Sequence, residues 1–102
     1  MKFSLFYLPK FNPVVHFDES THYRQIIEQC RAADRCGFDT VFLSEHRIPA
    51  TGFQSPMLML QAIASATERL RLGTAVAMIG HRHPIFSAEH WATLDVDRKS
   101  VV

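Results

Sequence analysis

CGFDTVFLSEHR, residues 36–47, holds the end of one element and the whole of the next, then stops on an acid, an imidazole and a guanidinium. Gly37 supplies the left-handed residue that commonly closes a helix. Thr40, Val41, Phe42 and Leu43 are strand formers with no polar alternation, as expected for a strand covered on both faces of a parallel sheet. The polar end, Ser44 to Arg47, falls where the strand stops.

Working outward, residues 21–36 carry Tyr23, Ile26, Ile27, Cys30 and Ala33 at intervals of three and four, which predicts a helix with one buried face. Ahead of it, KFSLFYL (residues 2–8) runs straight into Pro9 and reads as a first strand. Beyond Arg47, Ser55 and Pro56 form a cap and a first helical turn, and Met57, Leu60, Ile63, Ala64 and Thr67 give a second helix ending near Arg69. Leu72 to Met78 predicts a third strand, in which Gly73 and Ala75 allow close approach to the backbone. His83 and Pro84 open a third helix, with Ile85, Ala88, Trp91 and Ala92 on one side, ending around Leu94 and Asp95.

The order strand, helix, strand, helix, strand, helix defines an α/β class with parallel neighbours. Two long connections, 9–20 and 45–54, both follow strands, the side on which α/β sheets and barrels bind ligands. The chain of 102 residues is one domain or part of one. Its 47% hydrophobic and 21% charged content is that of a globular protein, and the net charge of +1 comes from interspersed signs, with no basic stripe for nucleic acid. Pro9 cuts the amino-terminal apolar run too short for a signal peptide or a membrane span, so a cytoplasmic protein is expected. Cys30 and Cys36 lack metal or disulfide spacing and read as small core residues.

At the carboxyl end of the second strand, Glu45 and His46 point to opposite sides of the backbone. Imidazole titrates near neutrality, which makes His46 the candidate for proton transfer, while Glu45 binds a polar ligand edge or holds Arg47. The plainer alternative is a solvated strand end with a local ion pair. His81 and His83 form an HxH pair, but spacing identifies no third ligand, so no metal site is assigned. His16, His22 and His90 read as surface or loop residues, and Met57, Met59 and Met78 as core fillers. Neither a glycine-rich phosphate loop nor a nucleophile elbow occurs.

Four segments in this order, KFSLFYLP, CGFDTVFLSEHR, ATERLRLGTAVAMIG and HPIFSAEHWATLD, resemble the amino-terminal part of the bacterial luciferase-like, flavin-dependent monooxygenases. The resemblance covers residues 1–95 and leaves 96–102 as a divergent tail. It implies the first three βα units of a TIM (β/α)8 barrel, truncated, since a whole barrel needs about 250 residues. It further implies reduced flavin mononucleotide (FMN), or a reduced deazaflavin, acting with O2 on a small organic substrate, and a flavin reductase as partner.

Carried over by position, His46 is the catalytic histidine and Glu45 the acid beside it that faces the flavin. Gly73, Thr74, Ala75 and Val76 line the flavin ring, with a cis peptide between Ala75 and Val76, and His83 is a supporting residue. Arg47 departs from the second histidine of the luciferases, which argues against light emission and a long-chain aldehyde. Three units alone are expected to be inactive and to expose strand edges. The alternatives are a non-catalytic interaction piece that pairs those edges with a second copy or a complementary half-barrel, and, behind it, a metal-dependent hydrolase on a similar barrel.

Overall fold

The structure, a computed structural model, describes residues 1–12, 14–15, 18–47 and 51–97. Three short strands, β1 (Ser4–Tyr7), β2 (Thr40–Leu43) and β3 (Arg71–Thr74), alternate with three helices, α1 (Glu19–Arg35), α2 (Pro56–Ala66) and α3 (Pro84–Asp97). The strands form one parallel sheet in the order β1-β2-β3, with Tyr7 beside Leu43 and Leu43 beside Thr74. All three strands therefore end at the same edge of the sheet, and the segments that follow them gather there.

Alternate strand residues turn to the helices. Val41, Leu43 and Leu72 are fully buried with Ile26 and Cys30 of α1, Leu60 and Ile63 of α2, and Leu94 of α3. Fully burying such a side chain contributes about 1.5–3 kcal/mol, so this single layer carries the fold. On the opposite face Phe6 is 58% exposed and its register partner Phe42 is half-buried.

Helix α1 begins two residues earlier than the apolar pattern predicts. Asp18 caps it, accepting the Thr21 N–H at 2.6 Å. It ends where expected, on Gly37 with φ +84°. Two expectations fail on this segment. His22 is buried rather than at the surface, with its ring beside Phe11 and Tyr23, because it lies one turn before Ile26 on the buried stripe. Cys36 is exposed, unlike Cys30, because it sits beyond the last helical turn.

Helix α2 stops at Ala66, short of Arg69, and the cause is a buried carboxylate on α1. Asp34 accepts the N–H groups of Glu68, Arg69 and Leu70 at 2.8, 3.1 and 2.8 Å, so those donors cannot continue the helical ladder. Ser55 precedes the helix without a side-chain cap bond, and Pro56 takes the first position as expected. Burial pushes the Asp34 carboxyl up, but the three N–H donors outweigh it and hold it below its ordinary value. Its stabilisation is therefore complete above the unfolded carboxyl range and is lost as pH falls through the folded value. Asp34→Asn is expected to cost about 2 kcal/mol at neutral pH and to flatten the acid limb of the stability curve, both read from urea midpoints.

Strand β3 ends at Thr74, not Met78. Ala75 still donates to the Leu43 carbonyl at 3.0 Å, but the Met78 N–H turns to the Glu45 carboxylate, beyond the end of β2. Helix α3 packs on α2 through the stripe Ser87, Trp91 and Leu94. The face expected from Ile85, Ala88 and Ala92 is exposed, because the helix touches a neighbour along one narrow line.

Candidate active site

The edge where the strands end brings together the polar end of β2, the residues after β3 and the turn before α3. Ser44 secures the start of this region, its N–H and Oγ both donating to the Tyr7 carbonyl, at 3.1 and 2.8 Å. The chain then returns alongside itself. Phe53 donates to the Ser44 carbonyl and His46 to the Phe53 carbonyl, both at 3.0 Å, so that Glu45 and Phe53 form a parallel bridge. Phe53 is 1% exposed and anchors this return in the core.

Glu45 and His46 leave the backbone on opposite sides, as strand alternation requires. Glu45 is buried and His46 exposed. The His46 ring lies over Gly52, whose N–H donates to the Pro9 carbonyl at 2.7 Å and whose φ is +74°. A Cβ on residue 52 would stand 2.4 Å from His46 Cδ2, so the glycine is required both by its backbone and by the ring above it. Sequence reasoning missed Gly52, for which its place in the long loop was the available signal. Gly52→Ala is expected to cost about 1–2 kcal/mol and to push the His46 ring from its seat, seen as displaced imidazole NMR resonances.

The Glu45 carboxylate is fully coordinated. Arg82 grips both oxygens, Nη1 to Oε2 at 3.0 Å and Nη2 to Oε1, while Arg47 Nη2 also donates to Oε1 and the Met78 N–H to Oε2 at 2.7 Å. Burial pushes the carboxyl up. The Arg82 and Met78 donors and the charges of both arginines more than offset it, so Glu45 is held below its ordinary value and stays ionised. The expected Glu45–Arg47 pair is therefore present. Arg82 was missed, because sequence reasoning stopped at the histidines on either side of it.

The Gly73–Val76 segment divides at the end of β3. Gly73 and Thr74 are buried in the strand, and Ala75 and Val76 are exposed just beyond it, Val76 at 74%. The peptide bond between Ala75 and Val76 is cis, where the resemblance set it. The Leu43–Thr74 register sends this pair and His46 off the same edge of the sheet.

Of the remaining histidines, His22 lines a small pocket with Gly52, and His90 a small cavity with Glu45 and Arg82. His83 accepts the Ile85 N–H on Nδ1 at 3.2 Å and stacks near Phe86, which makes it a local start to α3. His81 is exposed on a single 3₁₀ turn, Ile79–His81, His90 is exposed on α3, and His16 lies outside the described residues. Among the described residues no three His, Cys, Asp or Glu side chains are grouped as metal ligands, and no helix is long and apolar enough to cross a membrane. A groove of about 370 Å³, lined by Met57, Leu58, Gln61, His90, Thr93 and Arg82, lies between α2 and α3, and His46 is not among its lining residues.

Comparison with known proteins matches residues 1–96 to the luciferase-like monooxygenase family. The alkanal monooxygenase alpha chain of Photorhabdus laumondii is 31% identical over 96 residues, which are 93% of this chain and 26% of that one. The oxygenase component of the flavin-dependent trigonelline monooxygenase of Acinetobacter baylyi is 33% identical over 104 residues, 94% of this chain and 27% of that one. An F420-dependent glucose-6-phosphate dehydrogenase of Beutenbergia cavernae is 40% identical over 76 residues, 70% of this chain and 23% of that one. Among solved structures, the FMN complex of the oxygenating constituent of 3,6-diketocamphane monooxygenase from Pseudomonas putida superposes with a TM-score of 0.77 at 23% identity. It is matched over 95% of this chain and 26% of its own. The chain thus spans about a quarter of the length of these relatives. Over residues 1–96 it belongs to the luciferase-like monooxygenase family, and its three βα units are the first three of that family's (β/α)8 barrel.

Proposed function

We propose that this chain supplies the His46-bearing wall of a flavin-dependent monooxygenase site that acts with O2 on a small organic substrate. The observation that carries the reading is the exposed pair Ala75 and Val76, on the turn after β3, leaving the same sheet edge as the exposed His46. Small side chains there suit a backbone pressed against a planar ring, so Gly73 to Val76 are the residues that would hold reduced FMN or, as the alternative, a reduced deazaflavin. When bound, reduced flavin supplies the activation of O2, and a flavin reductase is the partner that would provide it.

The residues of the chain have distinct tasks. An imidazole nitrogen of His46 gives or takes a proton from the reacting molecule. Glu45 acts from behind this wall. With both oxygens occupied, it ties the end of β2 to Met78 and Arg82 and so holds the Ala75–Val76 turn in place relative to His46. The test is to exchange residues 1–96 for the matching segment of the Acinetobacter oxygenase component and assay turnover with reduced flavin. Retained turnover is expected, and a folded exchange protein without turnover would sink the reading.

A second reading, an interaction piece, draws on the open sheet. Among the described residues no strand pairs with the outer edge of β1 or of β3, and Phe3, Phe6 and Leu8 are more than half exposed. Light scattering of the isolated chain is expected to show concentration-dependent association, reduced by Phe6→Ser, whereas a monomer at all concentrations would count against it.

A further inference from the structure

We propose that Arg47 and Arg82, gathered on one buried carboxylate, make an anion-binding corner beside His46, and that the organic substrate carries a carboxylate which Arg47 receives.

The first argument is a charge count. Among the described residues the ion pairs of Arg47 and of Arg82 both end on Glu45 Oε1, so two guanidinium charges share one carboxylate. The corner keeps a net positive charge in a half-buried place, where charges act through a lower effective dielectric than in water. An incoming anion relieves the repulsion between the two guanidiniums.

The second is a count of donors and acceptors. A carboxylate offers about four acceptor sites. Arg47 Nη2, Arg82 Nη1 and Nη2 and the Met78 N–H fill them. Glu45 therefore has nothing left to offer a ligand, and the corner presents donors alone. Arg47 is the outward member, its side chain 42% exposed against 22% for Arg82 and 0% for Glu45. Its bond to Glu45 runs through Nη2, one edge of a planar fork whose other donors suit a two-point grip on a carboxylate.

The third is position. Arg47 directly follows His46 at the edge where the strands end, the edge at which the proposed reaction takes place. A neutral apolar substrate would instead desolvate a guanidinium that has to share its carboxylate with Arg82. That the anion belongs to the substrate rests on the oxygenase reading, whereas the anion site stands without it.

The test is an NMR titration of the ¹⁵N-labelled chain, without flavin and at fixed ionic strength, using benzoate, its neutral counterpart benzamide, and inorganic phosphate. Benzoate is expected to shift the Arg47 Nε–H and His46 amide resonances saturably, with benzamide at least about tenfold weaker. Arg47→Gln is expected to weaken benzoate by about tenfold or more, and Arg47→Lys, which keeps the charge and loses the fork, by less. Equal binding of benzoate and benzamide, or unchanged binding in Arg47→Gln with an otherwise preserved spectrum, would overturn the site. Phosphate binding about tenfold tighter than benzoate would assign the corner to a phosphate group and overturn the substrate half. Failure here leaves the exchange experiment untouched, and failure there leaves the anion site standing.

Discussion

Replacing Arg82 with methionine is expected to lower the stability of the chain by about 3 kcal/mol, near the lower end for removing one partner of a buried ion pair. Glu45 has no solvent exposure at its side chain, and Arg82 provides two of its four bonds. Without the guanidinium the carboxylate keeps Arg47 and the Met78 N–H, which is why the loss stays at that lower end. Arg82→Lys, retaining charge but not the fork, should fall between wild type and Arg82→Met.

The urea midpoint measures the effect, and an unchanged slope would show that the transition remains comparable. The double variant Glu45→Gln, Arg82→Met is expected to lose less than the sum of the single changes, because it removes the stranded charge. Faster amide exchange at Met78 should accompany the loss. A cost of only about 0.5 kcal/mol would mean that the pair behaves as an exposed one, and that the tie between β2 and the turn after β3 is weak.

Substituting His46 with alanine in the exchange protein is expected to lower kcat by about 10²–10⁴-fold, the range for losing a positioned proton-transfer group. KM should change little, since the proton moves in the reaction and not in binding. Chemical rescue separates this role from a structural one: added imidazole should restore part of the lost kcat in His46→Ala. Gly52→Ala offers an intermediate case, because it keeps the imidazole but displaces it from its seat, so kcat should fall by less than in His46→Ala. Unchanged kcat in His46→Ala would transfer the proton step to another group.

Much of this arrangement is legible in the sequence, and the illegible parts share a cause. Apolar spacing found the three helices, and short apolar runs bounded by turn residues found the three strands, since both patterns are set by each element's own geometry. The reading missed the ends of α2 and β3, which long-range polar groups decide. The stop of α2 at Ala66 depends on Asp34, more than thirty residues earlier in the chain. The burial of Glu45 depends on Arg82, 37 residues later.

A surface position was expected for His22 because its polarity outweighed its place one turn before Ile26. The face of α3 was misread because its apolar residues spread around the helix and only contact with α2 selects among them. The cis bond at Ala75–Val76 was reached through resemblance alone, and no spacing rule predicts it.

The claim that this chain presents a flavin-facing wall is tested most directly by adding reduced FMN, without oxygen, to the ¹⁵N-labelled chain and mapping the shifted amides. Shifts concentrated at Gly73, Thr74, Ala75, Val76 and His46 are the predicted result. Shifts confined to the groove between α2 and α3, or none at millimolar flavin, would contradict it.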